Sequence, residues 1–102
     1  MATVLVADDD QKLLKMLRRT LFYEGFDVVT AANGRDTVDL VSTQHPDLLI
    51  LDWMMPLLDG MDVLGALRSA RDETPVLMLT ARDDVRDRVE GLKNGYVLRE
   101  EA

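Results

Sequence analysis

The sequence predicts an α/β fold, a doubly wound parallel sheet covered by helices on both faces. Short apolar runs alternate along the chain with segments of helical periodicity. This alternation is typical of strand–helix–strand units joined by right-handed crossovers. The apolar runs are continuous, as in strands that are buried on both faces. Because 102 residues is the size of one ordinary domain, we assign residues 1–102 to a single domain.

The composition argues against several classes of function. The chain has 12 Lys and Arg against 19 Asp and Glu, a formal net charge of −7. This charge disfavours direct nucleic-acid binding and favours cationic partners or a bound metal. Without cysteine, disulfides and zinc–thiolate sites are impossible. Because the apolar runs are too short to span a bilayer and the N-terminus lacks the regions of a signal peptide, we expect a cytoplasmic protein without membrane association.

The first half of the chain predicts two strands, each followed by a helix. The predicted elements are a strand over residues 3–7, a helix over 11–24, a strand over 26–31 and a helix over 35–44. Asp10 can cap the first helix, whose leucines at helical spacing predict a buried stripe. Asp27 indicates that the second strand lies at an edge of the sheet. His45, the only histidine, stands beside a proline in a loop, and we assign it no catalytic role.

The second half repeats the alternation. The predicted elements are a strand over residues 48–52, a helix over 61–70, a strand over 76–79, a helix over 85–94 and a tail over 96–102. The third strand is a run of four apolar residues that stops at Asp52. In open α/β sheets, ligands bind outside the carboxyl ends of the strands. Asp52 is therefore a candidate functional residue.

Polar side chains follow three of the predicted strands. Asp8 and Asp9 follow the first strand, Asp52 ends the third, and Thr80 follows the fourth. If these strands are neighbours, three carboxylates meet at one edge, and their repulsion raises at least one pKa. A divalent cation with oxygen ligands relieves such repulsion, and Mg²⁺ suits a site of this kind. The alternative is that Asp8 and Asp9 are solvated capping residues.

Three motifs resemble those of response-regulator receiver domains. They are Val6-Ala7-Asp8-Asp9-Asp10, Leu51-Asp52-Trp53-Met54-Met55-Pro56-Leu57-Leu58-Asp59-Gly60 and Met78-Leu79-Thr80-Ala81. Their order and spacing match as well, and the resemblance covers roughly residues 3–95. It implies a flavodoxin-like fold with strand order 2-1-3-4-5. It also implies a two-component signalling switch, served by a histidine kinase, which catalyses at most its own phosphorylation and dephosphorylation.

The resemblance assigns roles to the residues at the matching positions. Asp52 is similar to the phosphoacceptor, whose carboxylate attacks a phosphoryl group and forms an acyl phosphate. Asp9 resembles the direct Mg²⁺ ligand, with Asp8 acting through water or orienting it. The backbone carbonyl of Met54 resembles a third protein ligand, and Asp52 also belongs to the metal site. Thr80 resembles the hydroxyl that bonds a phosphoryl oxygen and reports phosphorylation.

The tail over residues 96–102 departs from the family, which continues with a fifth strand carrying an aromatic residue, then lysine-proline and a fifth helix. Tyr96 aligns with the aromatic switch residue and Arg99 with the lysine only if a loop is deleted, and Glu100 stands where proline is expected. We therefore expect strand five to be short or absent and helix five to be missing. A rival interpretation extends helix four, because its apolar residues keep helical spacing as far as Tyr96.

A missing fifth helix would leave one face of the sheet covered by helix one alone. Leu49 and Leu77 are candidates for the residues left open to water on that face. An uncovered strip one helix wide is on the order of several hundred Å², a size that usually marks an interaction surface. We therefore expect a homodimer joined through the uncovered C-terminal side.

Three other functions are weighed against the switch. A magnesium-dependent phosphatase of the haloacid-dehalogenase type needs a second aspartate two residues after the nucleophile, where this chain has Met54. A flavin carrier on the same fold needs a Ser/Thr-rich phosphate loop after strand one, where the aspartates would repel a phosphate. A receiver-like interaction module that no longer switches is the main alternative, because the C-terminal end is atypical.

Overall fold

The structure is a computed structural model that describes residues 1–80 and 97–101, with side chains as far as Leu79. Five strands and three helices lie in these described residues. They are β1 (Thr3–Ala7), α1 (Gln11–Tyr23), β2 (Asp27–Ala31), α2 (Gly34–Gln44), β3 (Leu48–Asp52), α3 (Gly60–Ser69), β4 (Val76–Thr80) and β5 (Val97–Glu101). The helix predicted over residues 85–94 and the predicted switch residue Tyr96 lie outside them. None of the helices in the described part is long and apolar enough to cross a membrane.

The strands form one sheet in the order β2-β1-β3-β4-β5, which confirms the predicted strand order. β1 pairs in parallel with both β2 and β3, and β3 pairs in parallel with β4. The carboxyl ends of β1 and β3 are therefore neighbours in the middle of the sheet. This placement brings the residues that follow these two strands to the same edge.

The fifth strand differs from the expected parallel sheet, because it runs antiparallel to β4. Val97 pairs with Thr80, so β5 begins beside the carboxyl end of β4 and runs back along it. The backbone of Arg99 lies opposite Met78. Strand five was expected to be short or absent, and residues 97–101 form a short strand and not a continuation of helix four.

One face of the sheet is covered by α2 and α3. Its core contains alternate strand residues such as Leu5 and Leu51, together with Val41 of α2 and Val63 of α3. Leu49 belongs to this cluster and is fully buried, so its assignment to the uncovered face was wrong. The physical reason is that a strand buried on both sides is apolar at every position, and its sequence does not tell which face each residue joins.

The other face is covered by α1. Leu13 and Leu14 of the predicted leucine stripe pack against alternate strand residues that include Val6, Ile50 and Leu79. Leu17 and Leu21 are partly buried against the same cluster, which confirms the stripe as core packing. Strand alternation places Leu77 on this face, where it is half-buried. The homodimer expected from this face stays a prediction.

Candidate functional site

Three carboxylates meet at the carboxyl edge of the two central strands. Asp8 follows β1 and Asp52 ends β3, and these strands are paired. One carboxylate oxygen from each of Asp8, Asp9 and Asp52 lies within 4.8 Å of the others. Asp8 is buried, Asp52 is half-buried and Asp9 is exposed. The structure thus brings together the three aspartates that the sequence predicted to converge.

The β1–α1 loop, residues 8–10, is held mainly by hydrogen bonds between residues close in sequence. The Asp8 carboxylate accepts from the amide of Asp10 at 2.8 Å. Asp10 in turn caps α1, because its carboxylate accepts from the amides of Lys12 and Leu13 at 3.0 and 3.2 Å. The amide of Asp8 donates to the carbonyl of Ala31 in β2 at 3.0 Å. The carboxylates of Asp8 and Asp10 therefore accept hydrogen bonds from backbone amides, whereas the carboxylate of Asp9 is exposed beside Asp52.

The β3–α3 loop, residues 53–59, begins at the phosphoacceptor candidate. The amide of Trp53 extends the sheet by donating to the Leu79 carbonyl at 3.1 Å. The amide of Met54 donates to the Asp52 carboxylate at 3.4 Å, and the Met54 side chain is exposed. Met54, predicted to supply a backbone carbonyl to the metal, thus lies directly beside the cluster.

Gly60, the first residue of α3, closes this loop against the end of β3. Its amide donates to the Trp53 carbonyl at 2.6 Å. A Cβ atom on Gly60 would lie 2.5 Å from the Asp52 carbonyl oxygen and 2.8 Å from Trp53 Cα. The φ of Gly60 is not positive, so glycine is required here by the close approach and not by backbone conformation. The absence of a side chain at residue 60 lets α3 begin in contact with the site.

Two further carboxylates of this region serve the helix and not the cluster. The Asp59 carboxylate accepts from the amide of Asp62 at 2.9 Å, and the Asp62 carboxylate accepts from the amide of Asp59 at 3.4 Å. This reciprocal pair is a capping box, which satisfies amides that the first turn of a helix leaves free. It fixes the start of α3 without adding ligands to the site.

Comparison with known proteins identifies the family. Residues 4–98 match the family model described as the response regulator receiver domain. The chain belongs to this family. Response regulator MprA of Mycolicibacterium vanbaalenii is 48% identical over 92 residues, which are 90% of this chain and 40% of that protein. Response regulator MprA of Mycobacterium avium is 47% identical with the same coverage, so the chain spans about 40% of the length of these curated relatives.

Solved structures place the fold in the same family. The receiver domain of the Francisella response regulator 1452 matches with a TM-score of 0.79 and 39% identity, over 93% of this chain and 78% of that one. Response regulator TrrA of Thermotoga maritima, solved in complex with Mg²⁺-BeF, matches with a TM-score of 0.77 and 30% identity. That match covers 90% of this chain and 80% of TrrA. The predicted receiver-domain resemblance and flavodoxin-like fold are confirmed.

The electrostatics of this receiver domain favour a positive charge at the cluster. Burial raises the pKa of Asp52 from 3.8 to about 7, and the negative charge of Asp8 adds to the rise. The hydrogen bond from the Met54 amide acts in the opposite direction. Burial also raises the pKa of Asp8, against the hydrogen bond from the Asp10 amide. A cation placed between these carboxylates would stabilise their ionised forms.

The donor set fits Mg²⁺. All three side chains offer carboxylate oxygens, and Mg²⁺ prefers a few oxygen ligands with several retained waters. The exposure of Asp9 and the half-exposure of Asp52 leave room for water on the open side of the cluster. Thr80 ends β4, next to β3, but its side chain and that of Arg99 lie outside what the structure describes, as does Tyr96.

Sequence reasoning overlooked two glycines that shape the receiver site. It assigned Gly34 no role in the site and identified Gly60 only as the last residue of the second motif. The structure places each at the first position of a helix, where it meets the β3–α3 loop. The only available signal was an Asn or Asp directly before each glycine, a pattern that suits an N-cap as well as a turn.

Proposed function

We propose that this receiver domain is the phosphoacceptor switch of a two-component system, taking a phosphoryl group from a histidine kinase onto Asp52 with the help of Mg²⁺. The observation that carries the proposal is the cluster of Asp8, Asp9 and Asp52 at the carboxyl ends of β1 and β3. The family membership and the Mg²⁺-BeF complex of the TrrA relative support it.

The proposed reaction is the attack of an Asp52 carboxylate oxygen on the phosphorus of a phosphohistidine. The oxygen–phosphorus bond forms as the phosphorus–nitrogen bond breaks, and the electron pair of that bond returns to the imidazole. Because only the ionised carboxylate is nucleophilic, the raised pKa of Asp52 opposes the reaction in the cation-free site. Bound Mg²⁺ would supply charge neutralisation for both the carboxylate and the phosphoryl oxygens.

The roles proposed for the other residues come from the family resemblance, and the exposure of Asp9 and the burial of Asp8 support two of them. Asp9 is proposed as the direct Mg²⁺ ligand, because it is the exposed member of the cluster, and buried Asp8 acts through water or orients it. The Met54 carbonyl completes the protein ligands. Thr80 is proposed to donate its hydroxyl to a phosphoryl oxygen and, with Tyr96, to report phosphorylation. Arg99 is proposed to replace the lysine of the family.

The first test is phosphorylation by acetyl phosphate and Mg²⁺, followed by intact-protein mass spectrometry. The wild type is expected to gain the mass of one phosphoryl group, and Asp52→Asn and Asp52→Ala to gain none. Asp39→Asn, an exposed aspartate of α2, serves as the control and should be modified like the wild type. An undiminished adduct in both Asp52 variants would refute the assignment.

The second test concerns the metal. A ligand that binds only the folded state raises its stability by mass action, so millimolar Mg²⁺ should raise the melting temperature of the wild type. Asp9→Ala should lose most of this increment. Asp10→Ala is the matched control from the same loop: it loses the α1 cap, at a cost of about 1 kcal/mol, but should keep the Mg²⁺ increment. Equal increments in the wild type and Asp9→Ala would contradict the ligand role of Asp9.

The antiparallel direction of β5 favours a second candidate, a receiver-like interaction module that no longer switches. In this alternative Asp52 can still be phosphorylated, but the change is not transmitted to the β4–β5 edge. NMR spectra recorded with and without the phosphoryl group separate the two functions. Shifts limited to the residues around Asp52 favour the module, whereas shifts that extend along β4 and β5 favour the switch.

A further inference from the structure

Gly34, the first residue of α2, is in close contact with the β3–α3 loop. A Cβ atom on Gly34 would overlap the Leu58 carbonyl oxygen and would lie 2.6 Å from Leu58 Cβ. Real Cβ atoms essentially never come within 3.0 Å of such neighbours. Two of the three nearest atoms are backbone atoms of Leu58, so a change of side-chain rotamer does not relieve the overlap. Any side chain at residue 34 must therefore displace either the loop or the helix.

The helix side of this contact is fixed. The Asn33 side chain caps α2 by accepting from the amide of Asp36 at 2.8 Å. The fully buried Thr37 donates its hydroxyl to the Asn33 carbonyl at 2.7 Å. Val41, one turn further along, is fully buried in the core. Because the first turn of α2 is held by its cap and by its buried face, the loop is the part that must move.

The loop side is conformationally strained. The Pro56 carbonyl accepts from the Leu58 amide at 2.9 Å and also from the Gly34 amide at 3.4 Å. The first of these bonds closes a three-residue turn around Leu57, whose φ is 73°. Such γ-turns with positive φ at the centre are rare and strained. The Leu57 side chain is 72% exposed, so its own packing contributes little to holding the turn.

We propose that Gly34 is a positioning residue for the phosphorylation site. By admitting the Leu58 carbonyl against the first turn of α2, it sets the position of the β3–α3 loop and hence of the Met54 carbonyl. The loop is short and anchored at both ends, by Trp53 to β4 and by Gly60 to Trp53. A displacement at Leu58 must therefore be absorbed by residues 54–57. The inference rests on the proposed function, which assigns the Met54 carbonyl to the metal.

The competing explanation is that Gly34 only allows α2 to pack and has no effect on the site. Both explanations expect a less stable protein when Gly34 is substituted, so stability alone does not distinguish them. The two explanations predict different Mg²⁺ affinities for the folded Gly34 variant. Groups that orient metal ligands typically change affinity by about 10–100-fold when they are altered, whereas a distant packing defect does not.

The experiment compares Gly34→Ala with Gly65→Ala, a control in the middle of α3 where an added Cβ meets nothing within 4 Å. Mg²⁺ titrations are followed by the fluorescence of Trp53, the only tryptophan, which is adjacent to Asp52. Gly34→Ala is expected to bind Mg²⁺ about tenfold or more weakly, and Gly65→Ala to bind it within about twofold of the wild type. In the cation-free state, the amide resonances of Met54, Met55, Leu57 and Leu58 should shift in Gly34→Ala but not in Gly65→Ala.

A folded Gly34→Ala with wild-type Mg²⁺ affinity would overturn the inference, whatever its melting temperature. If Gly34→Ala does not fold, the inference is tested by NMR on the wild type. Addition of Mg²⁺ should shift the amide resonance of Gly34, which donates to the Pro56 carbonyl, and should leave the amide resonance of Gly65 unchanged. An unresponsive Gly34 amide would overturn the inference as well. If the wild type itself gives no Mg²⁺ response in any signal, the proposed function fails and the inference fails with it. A Gly34→Ala that binds like a responsive wild type refutes the inference alone.

Discussion

The two loops that build the acidic site are held in different ways. In the β1–α1 loop, Asp8 and Asp10 make hydrogen bonds to amides at most three residues away. The β3–α3 loop contains Leu57 at positive φ and depends on contacts with Gly34 and Gly60, the first residues of two helices. The first loop is therefore determined mainly by its own sequence, whereas the second is determined by its surroundings.

This difference predicts where substitutions act. In the β1–α1 loop, a substitution should affect either the cap of α1 or the ligand set, because separate aspartates carry these roles. In the β3–α3 loop, a residue without any ligand atom can alter the site, since the loop takes its position from its neighbours.

The largest effect is expected from Gly60→Ala. The added Cβ would press on the Asp52 carbonyl oxygen at 2.5 Å and on Trp53 Cα at 2.8 Å. Overpacking of this kind typically costs about 1–3 kcal/mol. Gly65→Ala, in the same helix but in open space, should instead stabilise by up to about 1 kcal/mol through helix propensity. Urea denaturation measures both, and two variants of equal stability would show that the Gly60 contact is not tight.

The next effect is a pH dependence that originates in Asp52. Its pKa rises from 3.8 to about 7 on folding, so between these values the folded state binds more protons than the unfolded state. The free energy of unfolding therefore falls as pH rises through this window. The melting temperature of the cation-free wild type should decrease from pH 4 to pH 7, and Asp52→Asn should show a much smaller decrease.

Mg²⁺ offers an independent check of this pH dependence. A bound cation stabilises the ionised carboxylates, so saturating Mg²⁺ should reduce the loss of stability toward pH 7 in the wild type. Asp39→Asn, which removes an exposed aspartate outside the cluster, should leave the pH profile of the wild type unchanged. A profile that is equally steep in Asp52→Asn would assign the dependence to other carboxylates.

The same contrast explains which features the sequence could predict. Strands and helices follow from local apolar patterns, and Asp8, Asp9 and Asp52 converge because they end strands that are neighbours. The face of Leu49 was not predictable, because it lies in a run of four apolar residues that shows no alternation between apolar and polar positions. The direction of β5 depends on which end of β4 it meets, and the short tail contains no signal for this. The Gly34 contact joins residues far apart in sequence, so only the folded structure reveals it.

The smallest effect is expected from Leu57→Gly, which tests the strain in the β3–α3 loop. A left-handed conformation costs a residue with a side chain about 1–2 kcal/mol, and glycine avoids this cost. Glycine also makes the unfolded chain more flexible, which offsets about 0.4–1 kcal/mol of the gain. Because the Leu57 side chain is largely exposed, its removal should cost little packing. Leu57→Gly should therefore be more stable than Leu57→Ala, which keeps the strained Cβ, by up to about 1 kcal/mol in urea denaturation.

The Mg²⁺ affinity of Leu57→Gly should stay close to that of the wild type, because the Gly34 contact is unchanged. A Leu57→Gly variant less stable than Leu57→Ala would show that the strain at residue 57 is smaller than the flexibility cost of glycine, and that the two loops differ mainly in their contacts.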